Sequence, residues 1–285
     1  MHQTRDETMT NIGIDSYSFH LAFGKHGECN RKKALTIPQF FDICMSLKVG
    51  TVQLDPYHIP GLHGKNLREL KEIVESFQMQ VILGSVVSIA NEDKEADKAI
   101  AKYAEYMDAC RELNASILRS VPGGDRFMRA WPVDDQIKII CETGKRLGKL
   151  AEDAGVTVAF ENHGSLQARE LVAIVDGIGS DHVRINLDNG NPLLAFEDPV
   201  EAFAMMASRA VSLRFKDFRR QQTNYGMIVE GCPLGEGCID LDAQLDIYKQ
   251  ECQGSALCLE ICLSKGDEEG AVKKSLDWLR RRLDI

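Results

Sequence analysis

Eight times along this chain an apolar run breaks off at polar or charged residues and gives way to a stretch of helical periodicity, at intervals of roughly thirty to forty residues. The breaks are sharpest in the second half. VTVAFENHG (156–164) ends in Glu161, Asn162 and His163, and VRINLDNGN (183–191) in Asp188, Asn189 and Asn191. VSLRFKDF (211–218) carries Arg214, Lys216 and Asp217, and SALCLEIC (255–262) carries Glu260. Continuous β-branched and apolar runs mark strands buried on both faces, hence parallel ones. Regular alternation puts helices outside the sheet. Eight units in 285 residues close most simply as a single-domain α/β structure, a (β/α)8 TIM barrel whose polar strand ends gather at one mouth. An open doubly wound sheet would want a Gly-rich phosphate turn after the first strand, and none follows it.

The earlier strands are NIGIDSYSFH (11–20), TVQLD (51–55), MQVILGSVVS (79–88) and ASILRSVPGG (115–124), the last ending in Arg119. Helices are expected over 36–50, 67–78, 96–113, 134–155, 166–179, 198–210, 242–253 and 268–283. Pro38 suits a first turn, Gly50 and Gly155 a C-terminal stop, and Asp198 a cap before Pro199. Nothing reads as a linker or seam, so residues 11–285 form the barrel and residues 1–10 a flexible tail, with Met9 as a second candidate start. The tail lacks the apolar core of a secretory signal.

A net charge of −9 and a pI near 5.4 argue against a general nucleic-acid surface. No run of eighteen apolar residues suggests a membrane span. Of the nine cysteines, Cys44, Cys110, Cys141, Cys258 and Cys262 lie in apolar runs as small core residues. Cys232 and Cys238 flank a Gly/Pro-rich loop where a bridge is conceivable, but a reduced, cytoplasmic thiol set is the better reading.

In a barrel, Glu161, Asp188, Arg214 and Glu260 converge from strands five to eight. Three carboxylates that close stay ionised only beside a divalent cation, a lysine or arginine, or shared protons. Oxygen-rich ligands favour Mn2+, Mg2+ or Co2+ over a thiolate-type Zn2+ site. Two carboxylates flanking a bound sugar also exchange protons at a carbon next to a carbonyl. Singly, a glutamate that ends a strand reads as a solvated rim residue or salt-bridge partner; four successive strand endings favour a site. His163 is a substrate or metal contact or a structural imidazole. His20 and His58 are pocket candidates after strands one and two, whereas His2, His26 and His182 read as surface residues. Lys216 is a substrate contact or the partner of Asp217.

The ordered set AFENHG, LDNGNP with EDPVEA, RFKDF and PLGEGCIDL resembles the xylose-isomerase-like TIM-barrel family of sugar phosphate isomerases and epimerases, over about residues 11–280. The resemblance implies one divalent metal held by Glu161, Asp188, a strand-seven histidine and Glu260, with Glu161 and Glu260 as the acid/base pair. Asn191 stands where many members place a substrate-binding histidine. The family pattern His-x-Lys-Asp reads Arg214-Phe215-Lys216-Asp217 here. A guanidinium has no lone pair for a metal. Arg214 therefore swings away while His163 completes the coordination, or replaces the ion's charge, or marks a catalytically dead pocket.

The expected activity is metal-assisted isomerisation or epimerisation of a small keto-sugar, sugar phosphate or polyol derivative. Arg119, His58, His163, Asn191, Arg214 and Lys216 would orient the substrate. A lyase or dehydratase of the same fold, acting on a 3-dehydroshikimate-type substrate or a keto-glycoside, is the first alternative. A non-catalytic, metal-free sugar-binding protein is the second. An apurinic-site endonuclease would need a zinc cluster of histidines and a basic groove, which the chain lacks. The family often forms homodimers.

Overall fold

The β-branched and leucine-rich runs form the staves: β1 (Thr10–Asp15), β2 (Val49–Leu54), β3 (Gln80–Gly84), β4 (Ile117–Ser120), β5 (Thr157–Glu161), β6 (Val183–Asp188) and β7 (Ala210–Phe215). A hairpin of β8 (Asp217–Thr223) and β9 (Gly226–Cys232) then intervenes before the last stave, β10 (Ala256–Leu259). The structure, a computed structural model, describes residues 10–24, 32–90, 93–123, 132–164 and 166–285. Residues 1–9 of the expected tail, and with them His2, lie outside these residues, as does His26. Successive staves pair in parallel, and β1 closes the barrel on β10 with Ile14 level with Leu259. Pairing of β6 with β7 sets Asp188 level with Arg214.

Amphipathic helices wrap the outside: α1 (Ile37–Ser46), α2 (Gly64–Phe77), α3 (Asp93–Glu112), α4 (Val133–Ala154), α5 (Ala168–Ile178), α6 (Pro199–Ala207), α7 (Leu241–Ile247) and α8 (Glu268–Leu283). Asp198 caps α6 by accepting from the amides of Val200 and Glu201, and Gly155 ends α4 at φ +67°, a conformation glycine adopts without strain. Phe40, Phe41, Phe160, Phe203 and Phe215 are fully buried between staves and helices. Among the described residues no helix is long and apolar enough to cross a membrane.

Three expectations are corrected. The first strand stops at Asp15, whose carboxylate accepts from Tyr17 N and caps a tight 3-10 turn over Ser16–Phe19. Helix α1 ends before Gly50; Lys48 takes the left-handed turn at φ +54°, and Gly50 lies inside β2. The β8–β9 hairpin was not foreseen. Cys232 and Cys238 are both free, as are the six other described cysteines, with Cys232 buried and Cys238 exposed. Cys44, Cys110 and Cys258 are core residues, while Cys141 and Cys262 are only half-buried. Burial pushes the Cys110 thiol up to about 12, away from thiolate chemistry.

Asp217 belongs to the scaffold. Its carboxylate accepts from the amides of Phe218 (2.8 Å), Gly235 (3.0 Å) and Gly237 (2.8 Å), pinning the PLGEG loop beside the barrel. Lys216 is not its partner.

Candidate active site

The polar residues that end β5 and β6 divide into two jobs. Asn162 extends the sheet beyond its last backbone pair: its Oδ1 accepts from Asp188 N and its Nδ2 donates to Asp188 O, both at 2.8 Å. Asn189 does the same for Lys216, accepting from its N at 2.8 Å and donating to its O at 2.9 Å. Backbone groups at buried strand ends need such partners, because water is excluded there. The carboxylates and cations between the amides are left to face the barrel axis.

They form a chain of alternating charge. Arg119 on β4 donates through Nε to Glu161 Oε2. Arg214 on β7 bridges onward, with Nη1 3.2 Å from Glu161 Oε2 and 3.0 Å from Glu260 Oε1. Glu260 passes the chain to Lys216, whose Nζ also lies 2.7 Å from Asp188 Oδ2. Asp188 turns its other oxygen to the amides of Gly190 (3.0 Å) and Asn191 (2.8 Å). All six residues are buried.

Arg214 has a second face. Its Nη2 lies 2.6 Å from Asp15 Oδ2 and 3.8 Å from Asp55 Oδ2, carboxylates at the ends of β1 and β2. Gln53 donates to the same oxygen of Asp15. Neither aspartate was among the residues singled out from sequence, although NIGID and TVQLD carry the same signature as the later strands: an apolar run that stops at an acid.

Five carboxylates thus meet three cations, Arg119, Arg214 and Lys216, an excess of two negative charges when all are ionised. Two acids are lifted toward holding protons. Burial raises Asp15 to about 7 despite Arg214, and burial with nearby Glu260 and Glu161 raises Asp188 to about 6 despite Lys216. Glu161 goes the other way: burial would lift it, but Arg119 and Arg214 outweigh that and hold it well below the usual range. Burial likewise opposes ionisation of Glu260, and Arg214 and Lys216 outweigh it. Burial also disfavours the charges on Arg214 and Lys216, yet the surrounding acids raise both pKa values well above normal.

Of the other histidines and amides named from sequence, some reach this mouth and others do not. Asn191 Nδ2 donates to Asn162 O at 2.9 Å and to Glu161 Oε1 at 3.3 Å, while its Oδ1 accepts from Lys216 Nζ at 3.4 Å. His163 stands exposed at the rim; the protein around it desolvates the ring, and Arg119, Lys216 and Arg214 add to lowering its pKa against the pull of Glu161. His58 is buried at the β1–β2 side, its Nδ1 2.9 Å from Ser16 Oγ and its ring stacked on Phe23 at 4.4 Å. His20 is tied to the scaffold by Tyr17 O and Glu268. His182 is half-buried, its Nδ1 3.1 Å from Val156 O, rather than a bare surface residue.

The implied metal can be tested against these donors. Every one of Glu161, Asp188 and Glu260 is already ion-paired with Arg214 or Lys216, and the fourth position holds a side chain without a lone pair. A dication ~4 Å from the guanidinium would be repelled by about 8 kcal/mol at an effective dielectric of 20. His163 does not complete the set, because Arg214 points between the carboxylates rather than away from them. Among the described residues no group of three or more histidine, cysteine, aspartate or glutamate side chains is arranged to hold an ion. The residues present do not fit the metal.

Comparison with known proteins agrees with the architecture. The family described as "Xylose isomerase-like TIM barrel" matches residues 41–282. A curated relative, 3-oxo-isoapionate decarboxylase of Pectobacterium atrosepticum, is 38% identical over 94 residues, 32% of this chain. That match spans 34%, about a third, of the relative's own length. A structure of the IolI protein with a bound zinc atom superposes with TM-score 0.77 at 16% identity, over 96% of this chain and 98% of that one. D-psicose 3-epimerase with D-tagatose, from Clostridium cellulolyticum H10, gives 0.76 at 13%, over 96% and 99%. At such identities the two structures speak for the fold alone.

Proposed function

Because the chain belongs to the xylose isomerase-like TIM-barrel family, we propose that it catalyses proton transfer at a carbon next to a carbonyl in a small keto-sugar or polyol derivative, as an isomerase or epimerase. The observation that carries this reading is the placement of Arg214 Nη1 between Glu161 and Glu260, 3.2 and 3.0 Å away. Removing a proton beside a carbonyl puts negative charge on the carbonyl oxygen, and a fixed cation between two carboxylates meets both needs. At rest, Glu161 and Glu260 are poor bases, held low by their cations. A substrate oxygen that takes over hydrogen bonds from Arg214 and Lys216 loosens that hold and raises the carboxylate pKa toward a useful range.

Arg214 Nε is buried without a hydrogen-bond partner, leaving a donor for an oxygen of a hydroxyketone once it enters. Asp188 is the third carboxylate of this reading, holding Lys216. Lys216, Asn191, His163, Arg119 and His58 are its orienting groups. Metal-bound members of the fold hold an ion such as zinc; no step here needs one.

A lyase reading is favoured by the 38% identity over 94 residues to 3-oxo-isoapionate decarboxylase, and by 28% identity over 94 residues to inosose dehydratases of Lacticaseibacillus casei. A 3-oxo acid that loses carbon dioxide leaves the same enolate, which Arg214 would stabilise and a carboxyl group would then protonate. Incubation of keto-sugars and 3-oxo sugar acids in D2O, read by NMR and mass spectrometry, separates the cases. Isomerisation or epimerisation conserves the skeleton and exchanges a proton; decarboxylation releases carbon dioxide; dehydration lowers the mass by one water. Glu161→Gln and Glu260→Gln should each slow exchange by about 10²–10⁴-fold. Ligand-induced thermal stabilisation with no exchange and no product would return a sugar-binding protein instead.

A further inference from the structure

We infer that Arg214 is the resident cation of this site, supplying as part of the chain the charge that a bound dication would otherwise supply, and that Asp15 is the positioning residue that keeps it there. The inference takes the barrel mouth to be the active site, but it does not depend on which reaction runs there.

Four carboxylates surround the one guanidinium: Glu161 and Glu260 at Nη1, Asp15 and Asp55 at Nη2. They come from β5, from the residue after β10, and from the ends of β1 and β2, so Arg214 ties opposite parts of the barrel rim together from its place on β7. A planar fork that never deprotonates suits this position as an ammonium would not, because its two ends serve two carboxylate sets at fixed separation.

Asp15 is not free to follow a moving partner. Tyr17 N donates to its Oδ1 at 2.7 Å, and the buried Gln53 donates to Oδ2, the oxygen that faces Arg214. Asp55 is fixed in the same manner, its Oδ1 accepting from Tyr57 N at 3.0 Å and its own amide donating to Ser16 Oγ at 2.9 Å. With Nη2 anchored on this rigid pair, Nη1 is fixed toward Glu161 and Glu260, the two groups that would exchange protons with substrate. Lys216 closes the remaining gap between Glu260 and Asp188. Each carboxylate that the family pattern gives to a metal is therefore answered by a cation on β7 or just after it.

The full-length protein, treated with chelator, is titrated with Mn2+ and the free ion is followed by electron paramagnetic resonance. Binding weaker than on the order of 1 mM is expected. Stoichiometric micromolar binding that is lost in Glu161→Gln would overturn the inference from the wild type alone, whatever any other variant does. The role of Asp15 is read from the Arg214 guanidinium by NMR. Hindered rotation should give resolved Nη proton signals in the wild type that merge in Asp15→Asn and return in Asp15→Glu. Signals that stay resolved in Asp15→Asn would remove Asp15 as the positioning residue. Failure of the proposed reaction would appear instead as absent solvent exchange, with the metal titration unchanged.

Discussion

Asp15 and Arg214 meet at 2.6 Å, from the first and seventh strands of the barrel, and both are buried. A charge at such depth is tolerable only while its partners remain. Removing one partner leaves the other uncompensated, whereas a paired network contributes little beyond what well-packed apolar residues would. Arg214→Met should therefore destabilise the fold by about 3–5 kcal/mol, read as a lower urea midpoint. The double variant Arg214→Met/Asp15→Asn should recover part of that loss, because one stranded carboxylate has gone. Additive losses in the two single variants would mean that the pair is not coupled.

The barrel was legible because hydrophobic burial writes itself into sequence: runs such as VTVAF and VRINL have no other use. Glu161, Asp188 and Glu260 were legible as acids at the ends of such runs, and the structure brings all three together. Asp15 and Asp55 ended similar runs, but the Ser16–Phe19 turn prolongs an apolar/polar alternation past Asp15 and blurs where the strand stops. The direction of Arg214 was not legible, because a long side chain has several rotamers and only the carboxylates across the barrel select one. Asn162 and Asn189 were legible only as polar residues at strand ends; that they complete a sheet edge depends on neighbours 26 and 27 residues away. The hairpin escaped notice because its strands are mostly exposed, so FRRQQT and GMIVEG lack one buried face to set a period.

The loop after the hairpin offers a test of the scaffold. Asp217 gathers three amides within 3.0 Å, and a Cβ at Gly237 would lie 1.9 Å from its Oδ1. Asp217→Ala should cost about 1–3 kcal/mol by leaving buried amides unsatisfied. Gly237→Ala should act through the same contact by pushing the carboxylate aside. Differential scanning calorimetry reads both. If Gly237→Ala melts with the wild type, the loop is not held by Asp217.

The raised acids give a signed pH dependence. Asp15 is lifted by burial to about 7, above its unfolded value, so the folded state binds more protons between about 4 and 7 and loses stability as pH rises through that window. Asp188, lifted to about 6, acts in the same sense over a narrower window. Glu161 and Glu260 are depressed, so their contribution is complete above about pH 5 and is lost only as pH falls below it. His163, also lowered, opposes the aspartates up to about pH 6.5. Comparison with Asp15→Asn isolates one group. The stability difference between wild type and variant should shrink as pH rises from 4 to 7, by on the order of 4 kcal/mol at most. Parallel curves from urea unfolding would show that Asp15 titrates no differently in the folded and unfolded chains.

Gly190 provides a way to move a charge without altering any charged residue. The stem of Lys216 runs across it, and a Cβ there would lie 2.8 Å from Lys216 Cγ and 2.7 Å from the Phe218 ring. Its φ of −101° is open to any residue, so the glycine serves space and not backbone freedom. Gly190→Ala should push the lysine from its bridge between Asp188 and Glu260, at an overpacking cost of about 1–3 kcal/mol. Displacement of an orienting group by about 1 Å can slow a reaction by about 10²-fold, so on the proposed chemistry solvent exchange into substrate should fall by that order while the far-ultraviolet spectrum is unchanged. A folded variant exchanging at the wild-type rate would show that the position of Lys216 is immaterial to the reaction, and would leave Arg214 as the cation on which the proposed chemistry rests.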